Sequence, residues 1–348
     1  MKLAVLATVR DEASYLVDWV AHLKALGIQG VFVFENDSVD GTEQLLSALH
    51  DAGHLTHIPN AADAPMRDKF RTLPPQRRAY ARAVKTPGIQ AADYVLTLDA
   101  DEVLELPLDD TLPAMLLRLE YPDVVSMPWR NMGGSGQAEF EAAPVTDRFD
   151  MAALPDRDSP IRSLRQVKSL YRPSISRYYN IHKPRAFRPD VRWVSPAGDN
   201  LKQHLHTNSH LDGFDYRFAN LRHYHVKSRP EFAVKIVRGF GCTEAANRGQ
   251  LGRAMYDLFD TNDVSLPMPT LMAERMVEAA AQMRADAKVR EVEAACIERF
   301  QHYSNLCHQA VEGCDALRDV TLRYRMDHLL KDYFEDTVWA RMRTCRRD

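Results

Sequence analysis

The chain has 348 residues, 45% of them hydrophobic and 27% charged, which is ample for a sizeable core, and at roughly 100–200 residues per domain it reads as about two domains. A formal net charge of −3 excludes a polyanion binder, so nucleic acid is not an expected partner and any anion site must be local. The five cysteines are scattered without a CxxC pair, no secretory leader opens the sequence, and no apolar run approaches the roughly 20 residues needed to span a bilayer, so the expected setting is soluble and cytoplasmic with free thiols.

Residues 2–9 form a short run rich in Val, Leu and Ala, suited to a strand buried on both faces. After Arg10-Asp11-Glu12, apolar positions at Leu16, Val17, Trp19, Val20, Leu23 and Leu26 mark one helical face, and Gly27 supplies the stop. Val31–Phe34 predicts a second buried strand, closed by Glu35-Asn36-Asp37-Ser38, and Leu45, Leu46 and Leu49 belong to the next helix. A basic, Pro-containing connection leads to a third strand, Tyr94–Leu98, which runs into Asp99-Ala100-Asp101-Glu102. Strands alternating with helices, each strand ending in polar residues, predict an α/β protein with a parallel, doubly wound sheet. Ligands of such sheets sit at the carboxyl ends of the strands. The clusters at 8–12, 35–40 and 99–102 are therefore expected to meet in one crevice.

From about 123 the pattern becomes mixed α+β, with a strand at Val124–Met127, the loop Asn131-Met132-Gly133-Gly134-Ser135-Gly136, and many aromatic and basic residues up to about 225. Past about 271, Ala, Glu, Arg, Met and Leu dominate and helix is expected, including Leu271–Phe300 and Leu317–Met342. These helices have two readings: packing on the core, or assembly of a homodimer. The terminal Arg341, Arg343, Arg346 and Arg347 read first as a solvated tail. The expected division is 1–122, 123–240 and a mainly helical extension over 241–348.

Four groups of residues carry chemistry. Asp99 and Asp101, one residue apart at a strand end, suit a hard cation such as Mn²⁺ or Mg²⁺ that shares its shell with substrate phosphates and takes up charge on a leaving diphosphate. A solvated acidic turn is the plainer alternative. Glu35 and Asn36 are placed to bond a ribose or base edge, while Asp40 or Ser38 caps the following helix. Among Arg67, Lys69, Arg71, Arg77, Arg78, Arg82 and Lys85, most read as a solvated face; one or two guanidinium groups are candidates for a diphosphate, and Gln76 for donor or acceptor. In His223-Tyr224-His225-Val226-Lys227-Ser228, an imidazole is a candidate metal ligand and Lys227 a candidate phosphate grip, against the commoner structural role of a lone histidine.

Together these pieces resemble the GT-A glycosyltransferases, in the family 2-like branch related to family 92. The resemblance is carried by Thr8-Val9-Arg10-Asp11-Glu12 (similar to a "KNE" turn), Glu35–Thr42 ("DNxSxDGT"), Leu98–Glu102 ("DxDEF") and His223-Tyr224 with Lys227-Ser228 ("HYxxKS"). Asn131–Gly136 is similar to an "FGSSG" loop near the acceptor, and Asn180–Pro184 to a further His-Pro element. It covers about residues 1–240. It implies a Rossmann-like GT-A domain with a C-terminal helical extension and a UDP- or GDP-type sugar donor. Thr8, Arg10, Glu12, Glu35, Asn36, Asp37, Gln76, Arg78, Asp99, Ala100, Asp101 and Lys227 are then the donor-site candidates, and Asp99, Asp101 and His223 the metal-site candidates. The implied acceptor is a carbohydrate or glycolipid, with an inverting course favoured. Glu35 departs from the family's Asp and Val103 from its Phe, and no QxxRW segment of processive synthases is present. An inverting enzyme needs a carboxylate base; Glu139, Glu141, Asp147, Asp199 and Asp212 are open, with Asp199 preferred. The competing readings are a nucleotidyltransferase, which would normally carry a glycine-rich loop absent from Thr8–Ser14, and a non-catalytic carbohydrate- or protein-binding module.

Overall fold

β-Branched and other apolar residues with no polar alternation can be satisfied only in strands covered on both faces. In the computed structural model, which describes residues 1–61, 63–154, 166–185, 190–201, 215–238 and 253–312, that demand is met by one curled sheet between helical layers. The strands are β1 (Leu3–Val9), β2 (Gly30–Glu35), β3 (Thr56–Pro59), β4 (Tyr94–Thr97), β5 (Glu102–Glu105), β6 (Val124–Asn131), β7 (Met151–Ala152), β8 (Val167–Tyr171), β9 (Trp193–Val194), β10 (Asn220–His223) and β11 (Val264–Ser265). The main helices are α1 (Ala13–Ala25), α2 (Thr42–Asp51), α3 (Pro75–Ala83), α4 (Leu112–Arg118), α5 (Arg229–Arg238), α6 (Arg253–Phe259), α7 (Thr270–Arg284) and α8 (Ala287–Glu312).

Strand order is β3-β2-β1-β4-β8-β6-β10-β5, with β9 added beside β6 and a separate β7–β11 pair. The first four strands are mutually parallel, as the sequence predicts for β1, β2 and β4; β3 is an additional parallel strand at the edge. β8 enters antiparallel between β4 and β6. β10 runs parallel to β6, and β5 closes the far edge antiparallel to β10. The short turn 98–101 therefore joins β4 in mid-sheet to β5 at the edge, and β10 from residues 220–223 completes that edge. The sheet continues unbroken across residue 122.

Gly27 ends α1 as expected, at φ +83° with its N–H on Lys24 O. α1 buries Leu16, Val20 and Leu23 completely. One apolar cluster extends from Leu3 through Leu23, Leu96 and Leu221 to Met283, Val289 and Cys296, so α7 and α8 share the core of the sheet. For 270–312 the first reading of the helices, packing on the core, is what the structure shows; Leu317–Met342 and the terminal arginines lie outside the described residues. No helix among the described residues is long and apolar enough to cross a membrane.

Candidate active site

The carboxyl ends of β1, β2, β3 and β4 do converge, and short polar bonds hold them together. Asn36 donates from Nδ2 to Val9 O and Phe34 O (both 3.1 Å), while its Oδ1 accepts from Asn60 Nδ2 (2.6 Å). With 3% exposure it is a strut between strand ends, and its side chain is not offered to a ligand. Asp40, fully buried, accepts from Ala13 N at the start of α1 and from Thr42 N and Oγ1 at the start of α2. It thus caps two helices, consistent with the capping role expected of it.

Glu35 is buried at the tip of β2, with Oε1 accepting from Ser38 N (2.7 Å); burial raises its carboxyl pKa to about 7. Asp37 is exposed beside it at φ +52°. Thr8 and Arg10 are half-buried at the end of β1. Glu12, another donor-site candidate, is engaged from the opposite direction: Arg238 of α5 donates to its Oε1 at 2.8 Å and to the carbonyls of Arg10 and Asp11. Burial raises the Glu12 pKa, partly offset by Arg238, and the pair is an internal tie rather than a ligand contact. Arg78 is buried, with its Nη1 3.5 Å from Arg71 O and its Nε without a partner.

At the acidic turn each aspartate has its own lysine. Lys168, the second residue of β8 and fully buried, donates from Nζ to Asp99 Oδ2 (2.7 Å) and lies 3.2 Å from Glu102 Oε2. Gln76 of α3 reaches Asp99 Oδ1 at 3.3 Å. Lys235 of α5 donates to Asp101 Oδ2 at 2.7 Å. Burial by itself would raise the Asp101 pKa, but Lys235, His223 and Lys227 together hold it well below the usual carboxylate range. Glu102 takes the opposite course: burial, with Asp99 and Asp101 nearby, raises it to about 8 despite Lys168. Lys227 is buried at φ +57°, its Nζ over the Tyr15 ring and bonded to Tyr224 O, and burial lowers its pKa to about 8. Ala100 is buried between the aspartates and lines the cleft beside Asp101.

His223 Nε2 faces Asp101 Oδ1 at 3.7 Å, and burial lowers the imidazole to about 3, so it is neutral at pH 7 with its ring against Trp129. A neutral imidazole and a free carboxylate oxygen on facing atoms fit a divalent ion that completes its shell from substrate oxygens and water. Asp99 stands apart from this pair, both its oxygens being turned to Lys168 and Gln76. Among the described residues no cluster of three or more His, Cys, Asp and Glu side chains exists that could hold a metal unaided. A small cleft behind Asp101, lined by Tyr15, Trp19, Val103, Tyr224 and Met276, leaves about 20 Å³ for water centres, room for water but not for a sugar.

Two expectations change. Asp199 sits in an exposed turn bonded to Ser195 and follows β9, which pairs with Val124 and Val125 at the start of β6. The site lies at the other end of β6, beyond Asn131, roughly 20 Å away at ~3.3 Å per residue. Asp199 therefore cannot serve there as a base. Glu139, Glu141 and Asp147 are exposed, and Asp212 lies outside the described residues. The second change concerns Asn131–Gly136. Gly133 and Gly134 are buried against the chain after α6, where a Cβ on Gly133 would fall 2.3 Å from Asn262 Oδ1 and Thr261 O. Asn131 Nδ2 donates to Phe259 O and Thr261 Oγ1, and Gly134 N to Asp260 Oδ1. These residues clamp the end of β6 to the 256–262 segment.

Sequence reasoning missed Lys168, Lys235 and Arg238. Lys168 and Lys235 are cations inside largely apolar runs, Val167–Tyr171 and Phe232–Val237, and that isolation is the signal of burial with a carboxylate; Arg238 directly follows the second run.

The model of glycosyltransferase family 92 matches residues 4–236. A family 92 glycosyltransferase protein of Oryza sativa subsp. japonica is 22% identical over 163 residues, covering 46% of this chain and 26% of that protein. The chain thus matches about a quarter of the length of that curated relative. Among solved structures, S. aureus TarS 1–349 aligns at 17% identity and a TM-score of 0.32, covering 89% of this chain and 91% of that one. The same fragment of TarS in complex with UDP aligns at 14% and 0.33, with the same coverage.

Proposed function

Because this chain belongs to glycosyltransferase family 92, we propose that it moves a sugar from a nucleoside diphosphate donor to a hydroxyl of a carbohydrate or glycolipid acceptor. The observation that carries this reading is the convergence of four parallel strand ends on the turn of Asp99 and Asp101, with the buried ammonium groups of Lys168, Lys227 and Lys235 around it.

Transfer leaves a nucleoside diphosphate whose charge grows as the glycosidic bond breaks, and preorganised cations in a dry site stabilise that charge far better than water does. The lysines are already desolvated and fixed, so they need not reorganise as the bond breaks. Asp101 and His223 would hold an Mn²⁺ or Mg²⁺ ion, which when bound supplies Lewis-acid neutralisation of the diphosphate. Asp99, partly exposed and held by Lys168 and Gln76, is a second carboxylate at the crevice, and Glu35 at the tip of β2 is placed for the ribose or base. Inversion at the anomeric carbon is part of the proposal on the strength of the family resemblance, and the anomeric coupling in the product's NMR spectrum checks it. A cytoplasmic setting accords with the free buried thiols of Cys296 and Cys307.

The test is a panel of UDP- and GDP-sugars with Mn²⁺, scored for release of free nucleoside diphosphate. We expect release with at least one donor, reduced about 10²-fold or more in Asp101→Asn. Release of pyrophosphate instead, or no release with any donor, would sink the reading.

A further inference from the structure

Lys235 has no place in the motifs that mark this site, yet it makes the shortest contact with Asp101. Its Nζ reaches Asp101 Oδ2 at 2.7 Å, His225 O at 3.1 Å and His225 Nδ1 at 3.2 Å. Three acceptors match the three protons of an ammonium group, and the side chain is only 9% exposed. On the other side of the turn, Lys168 stands in the same relation to Asp99. Both aspartates are thus already compensated by the polypeptide, with Lys227 buried alongside as a further positive group near Asp101.

An ammonium and a divalent ion are alternative partners for one buried carboxylate. Each lowers the gain from the other, because the second cation arrives at a site whose charge has been met and is repelled by the first. Lys227, an ammonium beyond the two already paired with the aspartates, favours an anionic diphosphate there instead.

We propose that Lys235 is a resident counter-cation of Asp101, a positioning residue that lets the site hold a nucleoside diphosphate without a divalent ion and that competes with the ion when it binds. The proposal rests on the donor reading above.

The experiment uses the full chain as wild type, Lys235→Gln and Lys235→Arg. Free Mn²⁺ alone is titrated by electron paramagnetic resonance, and UDP and GDP are titrated by calorimetry in EDTA and in Mn²⁺. Wild type is expected to bind one nucleotide in EDTA. Lys235→Gln should lose that metal-free binding about tenfold while taking Mn²⁺ about tenfold more tightly, each change equivalent to one tight charge contact. Lys235→Arg should keep the metal-free binding within a factor of about three. A lysine that merely supports the fold would not tighten Mn²⁺. The proposal is overturned if EDTA abolishes wild-type nucleotide binding, or if folded Lys235→Gln binds Mn²⁺ no better than wild type. Should Lys235→Gln fail to fold, the wild-type EDTA titration and Lys235→Arg decide alone. If neither nucleotide binds even with Mn²⁺, the donor reading falls and this proposal with it.

Discussion

The two sides of the sheet assemble their share of the site in different ways. On the β3-β2-β1-β4 side, polar residues follow the strands that carry them and bond to one another, as Asn36 does to Val9 O and to Asn60. The cations supplied by β8 and α5, in contrast, come from far along the chain. Lys168 is 69 residues from Asp99, Lys235 is 134 from Asp101, and Arg238 is 226 from Glu12. Shape at the strand ends is thus a local matter, and charge balance is a long-range one. The cost of error differs too. A lost strut leaves one amide unpaired, whereas a lost lysine leaves a buried carboxylate without a counter-charge.

The largest expected effect breaks the long-range side. Lys168→Met strands Asp99 and Glu102 beside an apolar side chain and should cost about 3–5 kcal/mol of stability, read from urea denaturation at pH 8. A loss under about 1 kcal/mol would mean that the lysine does not carry the balance assigned to it. A smaller, opposite effect tests the local side. Burial raises the folded-state pKa of Glu35 from 4.5 to about 7, so the folded protein holds that proton more tightly than the unfolded chain. The associated stability is present below about pH 4.5 and is lost as pH rises toward 7. Glu35→Gln does not titrate and should be more stable than wild type above pH 7, by up to about 3 kcal/mol, with the difference fading to nothing near pH 4. Melting temperatures of the ligand-free pair across that range would show it, and a pH-independent difference would refute it. The smallest effect is expected at Asp199, at the wrong end of β6: Asp199→Asn should leave donor turnover within about twofold. A loss of a hundredfold would put the site somewhere other than where the structure has it.

Much of the β3-β2-β1-β4 side is legible because its information is local. The apolar runs gave β1, β2 and β4, Gly27 gave the end of α1, and the polar residues after each strand gave the crevice. The dense His223–Ser228 stretch marks an imidazole and Lys227 by composition, the resemblance narrows the imidazole to His223, and the fold brings both residues beside Asp101. Asn36 was misjudged because composition cannot tell an amide facing a ligand from one turned inward onto carbonyls. Asp199 was misjudged because its loop-like setting says nothing about which end of β6 the loop is stitched to. β3, β5 and β8 are four or five residues long, and nothing in their local composition announces that β8 will insert between β4 and β6. A lone lysine ordinarily lies in solvent, so the sequence alone does not mark these lysines as site residues. Only their partners, distant in the chain, make them part of the site.

The stretch matched by the family model stops at residue 236, within the single turn of helix that separates Lys235 from Arg238. The first of these reaches Asp101 and the second holds Glu12, so the end of the matched stretch passes between two grips on one site. Beyond it, the 256–262 segment still seats Asn131 and Gly134. A module transplanted at the boundary of sequence similarity would carry every recognisable motif and leave behind the guanidinium and the clamp that those motifs lean on. What relatives must have in common to be recognised, and what this molecule must keep together to stand, are two different lengths of chain.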